Sequence, residues 1–285
     1  MLAAIKKKMD LILYLGICTY LTLIQKPQRA AIIATSTTFF TLSYIFLQQT
    51  GYLNPPKNLK LEPHIEAEWI NRVVATPHAV ILAIGSILCY LEWPYYLIPS
   101  HAWHVPADEA TNETEYLPIK FSCFFVGFLQ WDMLWLIYHK KTNHDAAAMV
   151  HHVLYIMITH YVIYGTYFCR GFAWLAFGEL STPFLHMRWF YAVMDKKEDR
   201  WYLISSLLFS VTFLFSRVVC YGLGLVDLWF ARDAWSTLSW GLNATVVGLS
   251  LLYVLNLFWA SKVVSAVWRL MMKMKMIRKN NEKCD

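Results

Sequence analysis

Apolar stretches of about 20 residues recur along the whole chain, and each is long enough to cross the hydrocarbon core of a membrane. The predicted spans are 30–49, 73–91, 117–138, 149–169, 172–194, 202–225 and 238–260. A shorter apolar stretch, 11–24, precedes them, and both a short span and an interfacial helix fit it. Only 15% of the residues are charged, against about 25% in soluble domains. The sequence therefore predicts an all-α, polytopic helical membrane protein.

Lysine and arginine lie in alternate loops, and this asymmetry predicts the orientation of the chain. The loop 92–116 is acidic and contains no lysine or arginine, whereas 139–148, 195–201 and the C-terminal segment are basic. We therefore expect 92–116 in the lumen, six spans after residue 72 and a cytosolic C-terminus. Asn112 begins an Asn-Glu-Thr sequon in the lumenal loop, and we predict that it is glycosylated.

The net charge of +6 follows from this topology and gives no reason to expect nucleic-acid binding. The six cysteines are scattered without a CxxC pair, so we expect neither a metal site nor a disulfide scaffold. A lumenal disulfide is left open among the four cysteines near the lumenal ends of spans: Cys89, Cys123, Cys169 and Cys220.

The segment 179–190 is too polar for a helix that faces lipid. Glu179, Thr182 and His186 lie within it, and a charge at mid-bilayer costs roughly 2.5–3.5 kcal/mol on insertion scales. Pro183 removes a backbone donor, which predicts a kink and a freed carbonyl near residue 179. We therefore expect this segment to form the wall of a site.

His151 and His152 begin the span before this segment. Adjacent helical side chains point about 100° apart, so at least one imidazole should face the bundle. There it could act as an acid or a base near neutral pH. Interfacial histidines bonded to loop carbonyls are the competing interpretation. No spacing assembles three metal ligands, so no metal site is predicted.

Ionisable residues in neighbouring spans are candidate partners of this site. Asp132, His78 and Arg217 all lie inside predicted spans. Arg217 would form a buried ion pair with Glu179 or with Asp132. Such pairs can serve only to fix how helices assemble, so a ligand-binding network and a structural one both remain open.

Several motifs occur in order along the chain. They are EWINRVVATPH at 68–78, GFLQWD at 127–132, His151-His152, ELSTPF at 179–184, RWF at 188–190 and LSW at 238–240. Together they resemble the TLC-domain superfamily, which includes the ceramide synthases. Within it they resemble the branch of TLC domain-containing protein 4, also called transmembrane protein 56. The resemblance covers about 60–268.

The resemblance implies six membrane helices around a lipid-sized cavity, one or two extra N-terminal helices and a place in the endoplasmic reticulum. It divides the chain into an N-terminal helix region with a linker, 1–59, a TLC domain, 60–268, and a basic cytosolic tail, 269–285. In ceramide synthases the paired histidines are followed by a His-Asp pair and a further Asp. This chain keeps the first pair but reads Gly178-Glu179 at the second.

Two functions follow from this pattern. In the first, the protein binds a lipid or acyl chain in the cavity, acts in membrane lipid homeostasis and requires no cofactor. Asp132, His78, His186, Thr182 and Arg217 are then the expected ligand-binding residues. In the second, it is a ceramide-synthase-like N-acyltransferase that uses acyl-CoA. The expected catalytic residues are then His151 and His152 as base, with Glu179 orienting the imidazole.

Overall fold

In a computed structural model, residues 2–56, 58–92, 117–139, 146–237 and 239–281 are described, and every regular element among them is a helix. The helices are α1 (Leu2–Leu23), α2 (Pro27–Thr50), α3 (Pro63–Glu92), α4 (Leu117–Tyr138), α5 (Ala146–Gly165), α6 (Cys169–Ala176), α7 (Thr182–Val193), α8 (Arg200–Phe213), α9 (Tyr221–Phe230), α10 (Arg232–Trp235) and α11 (Trp240–Asn281). Within the described ranges, six helices are long and apolar enough to cross a membrane: 27–50, 63–91, 117–138, 146–165, 200–230 and 240–269. The prediction of a polytopic helical membrane protein is confirmed.

Helix α3 begins ten residues before the predicted span 73–91. Pro63 stands at its first position, where the missing N–H of proline costs nothing and its fixed φ suits a helix. Hydropathy alone misses this first part because Glu66, Glu68 and Arg72 make it polar. The early start matters because these polar turns reach the wall of a cavity described below.

The predicted span 172–194 is not one continuous helix. Helix α6 ends at Ala176, a 3-10 turn covers Phe177–Ser181, and α7 follows with Pro183 in its first turn. The break lies where Pro183 predicts a kink. At this break the carbonyl of Gly178 accepts a hydrogen bond from Arg217 Nε at 3.1 Å. Backbone irregularity at membrane depth needs such a replacement partner.

A second irregularity lies opposite the first. Between α8 and α9 the chain continues as a π-helix, Leu214–Cys220. Single π-helical turns inside longer helices are frequent at functional sites. This one carries Arg217, the residue that reaches the break in the facing segment.

The N-terminal helices are anchored on the rest of the bundle by buried polar groups. Tyr14 of α1 donates to the Gln130 carbonyl at 2.9 Å, so the stretch 11–24 belongs to a helix packed on α4. Arg29 of α2 is fully buried and donates to the Ile163 carbonyl and to Thr166 Oγ1. These bonds tie α1 and α2 to α4 and to the end of α5.

Helix α11 is longer than a membrane requires. Its 42 residues extend roughly 63 Å at 1.5 Å per residue, about twice the 30 Å hydrocarbon core. No glycine or proline follows Gly248 in this helix, so the start of the predicted tail 269–285 is helical. Residues 93–116, which include Asn112, lie outside the described residues, as does the end of the tail. Cys123 and Cys220 have free, buried thiols.

Candidate functional site

A polar cavity of about 1000 Å³ lies among α3, α4, α5, α7 and the π-helix. Every site residue predicted from the sequence lines it: His78, Asp132, His151, His152, Glu179, Thr182, His186 and Arg217. The structure thus brings together side chains from five separate segments of the chain. Their roles in binding or catalysis stay predictions.

His152 and Asp132 form a closely bonded pair in this cavity. His152 Nε2 lies 2.8 Å from Asp132 Oδ2, and Asn71 Nδ2 donates to Asp132 Oδ1 at 3.1 Å. His152 Nδ1 lies 2.7 Å from the Ala148 carbonyl. Because a carbonyl only accepts, Nδ1 must carry a proton. The short bond to Asp132 then holds a second proton, on either the imidazole or the carboxyl group.

Glu179 lies on another wall, where it is bonded to Arg217. Arg217 donates to Glu179 Oε1 at 3.0 Å, and Thr182 Oγ1 donates to Glu179 Oε2 at 2.7 Å. The side chains of Arg217 and Glu179 are only 13% and 18% exposed. The carboxylate that bonds His152 directly is therefore Asp132. The role of Glu179 toward the imidazole of His151 or His152 stays a prediction.

His186 is held by a residue that sequence reasoning did not single out. Thr76 donates its hydroxyl proton to the Arg72 carbonyl at 2.7 Å, and its oxygen lies 2.8 Å from His186 Nδ1. His186 Nδ1 must therefore be the donor in that contact. Thr76 follows Arg72 by four residues and therefore lies one helical turn further along α3.

Asn71, Arg72 and Glu68 are further wall residues missed as individual candidates. Arg72 donates to Glu68 Oε1 at 2.6 Å and stacks over the Trp189 ring at 4.6 Å. All three lie in the motif at 68–78, and their spacing of three and four residues places them on one helix face. That periodicity is the signal that could have found them.

Four polar atoms on the cavity wall have no hydrogen-bond partner among the described residues: Asn71 Oδ1, His78 Nε2, Trp135 Nε1 and His151 Nδ1. His78 is stacked on Phe128 with ring centroids 3.5 Å apart. His151 packs against Tyr155 and Trp259. A buried polar atom left unpaired costs about 1–3 kcal/mol, so these atoms are available to a bound molecule.

An apolar pocket adjoins the polar cavity. It is partly open, with about 660 Å³ of space between atoms, and it shares four wall residues with the cavity: Phe125, His151, Glu179 and Arg217. The rest of its wall is mainly aliphatic and aromatic and comes from α5, α6, α9 and α11, including Ile158, Val162, Phe172, Leu175, Ala176 and Leu249. Together the two spaces offer a polar end and an apolar end to one amphipathic molecule.

A known family matches the part of the chain that forms these two spaces. A model of the TLC domain, described as TRAM, LAG1 and CLN8, matches residues 68–265. The chain belongs to the TLC-domain family. Residues 68–265 of the TLC domain include every wall residue of the polar cavity and the apolar pocket. The resemblance predicted from the motifs is confirmed.

Relatives of the chain carry the same domain name. TLC domain-containing protein 4 A of Dictyostelium discoideum is 26% identical over 80% of this chain and 86% of its own length. TLC domain-containing protein 4 of Xenopus tropicalis is 26% identical over 72% and 76%. The human protein of that name is 22% identical over 79% and 82%.

Proposed function

We propose that this TLC domain binds a lipid or acyl chain in its two adjoining spaces and acts in membrane lipid homeostasis. The observation that carries this proposal is that a polar cavity and an apolar pocket lie side by side and share four wall residues. We also propose a place in the endoplasmic reticulum membrane, with the C-terminus in the cytosol and Asn112 in the lumen.

The depth of the two spaces supports this orientation of a lipid. Asp132 lies six residues before the end of α4, and His152 lies six residues after the start of α5. Both are therefore roughly 9 Å from the same end of the bundle, at 1.5 Å per residue. The apolar pocket extends deeper, toward Phe168 and Phe172. A head group would lie near the interface and an acyl chain toward the bilayer centre.

Replacing Ala176 with phenylalanine is expected to reduce the lipid retained by the purified protein. The new ring would occupy the apolar pocket that Ala176 lines, while the polar cavity would remain intact. Lipid extraction and mass spectrometry of protein purified in a mild detergent measures the effect. Ala34→Phe is the matched control because Ala34 is exposed on α2. Equal lipid retention by the two variants, with unchanged melting temperatures, would contradict lipid binding in this pocket.

One observation favours catalysis as a second candidate function. His151 has an unpartnered ring nitrogen and lies on the wall shared by the two spaces. His152 beside it is oriented by Asp132. We propose that such an enzyme would transfer an acyl group from acyl-CoA to an amine or hydroxyl and release CoA. The unpartnered nitrogen of His151 would take the proton, because both ring nitrogens of His152 are already bonded. Lys140 and Lys141, expected from sequence to attract the phosphates of CoA, lie outside the described residues.

His152→Ala is expected to abolish any acyl transfer in liposomes that contain the purified protein, acyl-CoA and a long-chain amine. The change removes the imidazole and leaves Asp132 without its partner. His64→Ala is a suitable control because His64 lies before the cavity at the start of α3 and pairs with exposed Glu62. Absence of turnover by the unaltered protein eliminates the enzyme, and turnover retained in His152→Ala eliminates the role of His152.

A further inference from the structure

The charges of the arginines and glutamates on the wall of the polar cavity sum to zero. Its wall contains two arginine–glutamate pairs, Arg72 with Glu68 and Arg217 with Glu179. Asp132 is the only other acidic residue on the described wall, and no lysine lies there. A head group that enters this cavity therefore meets arginines that already have carboxylate partners.

The charge of the remaining acid, Asp132, is also compensated, by His152. His152 Nδ1 carries a proton that it donates to the Ala148 carbonyl. The 2.8 Å contact between His152 Nε2 and Asp132 Oδ2 needs one more proton. If it is on the imidazole, an imidazolium faces a carboxylate; if it is on the acid, both groups are neutral. The pair has no net charge in either arrangement, so the cavity presents no excess charge to a ligand.

The unpartnered polar atoms of the wall determine which hydrogen-bond donors and acceptors a ligand must offer. Asn71 uses its Nδ2 on Asp132, so its free Oδ1 can only accept. A phosphate ester without protons offers acceptors alone and cannot satisfy it. His78 Nε2 and His151 Nδ1 can each accept or donate, depending on the tautomer, and Trp135 Nε1 can only donate. A hydroxyl group does both, and it adds no charge to a neutral cavity.

We propose that the ligand class of this site is an uncharged lipid whose head group carries at least one hydroxyl, rather than an anionic phospholipid. This inference rests on the proposed lipid-binding function and narrows it. The hydroxyl donates to Asn71 Oδ1 and accepts from a protonated ring nitrogen of His78 or His151. The acyl chain enters the apolar pocket past Phe125.

Four probes that share one long monounsaturated hydrocarbon chain test this inference: 1-oleoylglycerol, oleoyl lysophosphatidate, methyl oleate and oleylamine. Displacement of tritiated 1-oleoylglycerol from the purified full-length protein in detergent micelles gives their relative affinities. We expect 1-oleoylglycerol to bind at least about tenfold more tightly than each of the others, or about 1.4 kcal/mol. Equal or tighter binding of oleoyl lysophosphatidate or oleylamine would overturn the inference while leaving lipid binding intact. If none of the probes binds saturably, the proposed function itself fails.

A charge variant tests the cause of this selectivity. Glu179→Gln leaves Arg217 without a carboxylate partner. The affinity for oleoyl lysophosphatidate should therefore rise about tenfold relative to that for 1-oleoylglycerol. Glu198→Gln, an exposed acid outside the cavity, should leave the ratio unchanged. If Glu179→Gln does not fold, Glu68→Gln exposes Arg72 in the same way. An unchanged ratio in a folded variant overturns the charge argument.

Discussion

Replacing Arg217 with methionine is expected to lower the free energy of unfolding by about 3 kcal/mol or more, because it leaves Glu179 without its cationic partner. The loss also removes the donor to the Gly178 carbonyl at the break between α6 and α7. Both groups lie at membrane depth, where water cannot readily replace the lost donors. Thermal or denaturant unfolding of the purified protein in detergent measures the change.

The double variant Arg217→Met/Glu179→Gln should recover part of that loss. It removes the unpaired charge and keeps a side chain of similar size beside Thr182. Arg200→Met serves as the control, because Arg200 is exposed at the start of α8 and surface changes usually shift stability by no more than about 0.5 kcal/mol. If Arg217→Met is no less stable than Arg200→Met, the ion pair does not stabilise the bundle.

Replacing Gly127 with leucine is expected to lower the free energy of unfolding by a comparable amount, about 3 kcal/mol. The reason is that α2 and α4 are in contact at this residue. A Cβ atom on Gly127 would lie 2.7 Å from the Ile33 carbonyl oxygen and 2.6 Å from Ser36 Cβ. The first of these is backbone and cannot rotate away, so the helices must separate. Separation would stretch the bond from Thr37 Oγ1 to the Gly127 carbonyl, now 3.0 Å. Overpacking of this kind typically costs about 1–3 kcal/mol, and occasionally more.

Gly16→Leu is the matched control, since nothing lies within 4 Å of a Cβ on Gly16 of α1. Removing a helix-interior glycine there should leave stability unchanged or raise it slightly. Melting temperatures of the two variants in the same detergent make the comparison. A Gly127→Leu protein as stable as Gly16→Leu would show that α2 does not pack on α4 at this distance.

Much of the fold could be predicted from hydropathy, because a membrane admits few backbone solutions for long apolar stretches. Pro183 also predicts the position of the break between α6 and α7. The early start of α3 at Pro63 could not be read from hydropathy. Its first turns are polar because Asn71 and Arg72 face a cavity, and a cavity is formed only when other helices assemble around it.

The candidate site was predictable as a set of residues but not as a set of bonds. Ionisable side chains inside apolar spans are costly, so they tend to face a protein interior or a wet cavity. Which acid faces which base depends on helix rotation and on long-range packing. The sequence left Glu179 or Asp132 open as the partner of Arg217. In the structure Arg217 bonds Glu179, and Asp132 bonds His152.

The sequence by itself determined that this chain is a polytopic helical protein of the TLC family, with a concentration of histidines and acids in its middle spans. Those properties follow from local composition and from motifs within single segments. Only the tertiary structure decided that the polar cavity adjoins an apolar pocket and that its charges are paired. Such ion pairs depend on distances of about 3 Å between side chains that are far apart in the sequence, as Glu179 and Arg217 are. Such distances are set by how helices pack, and no pattern within one helix specifies them.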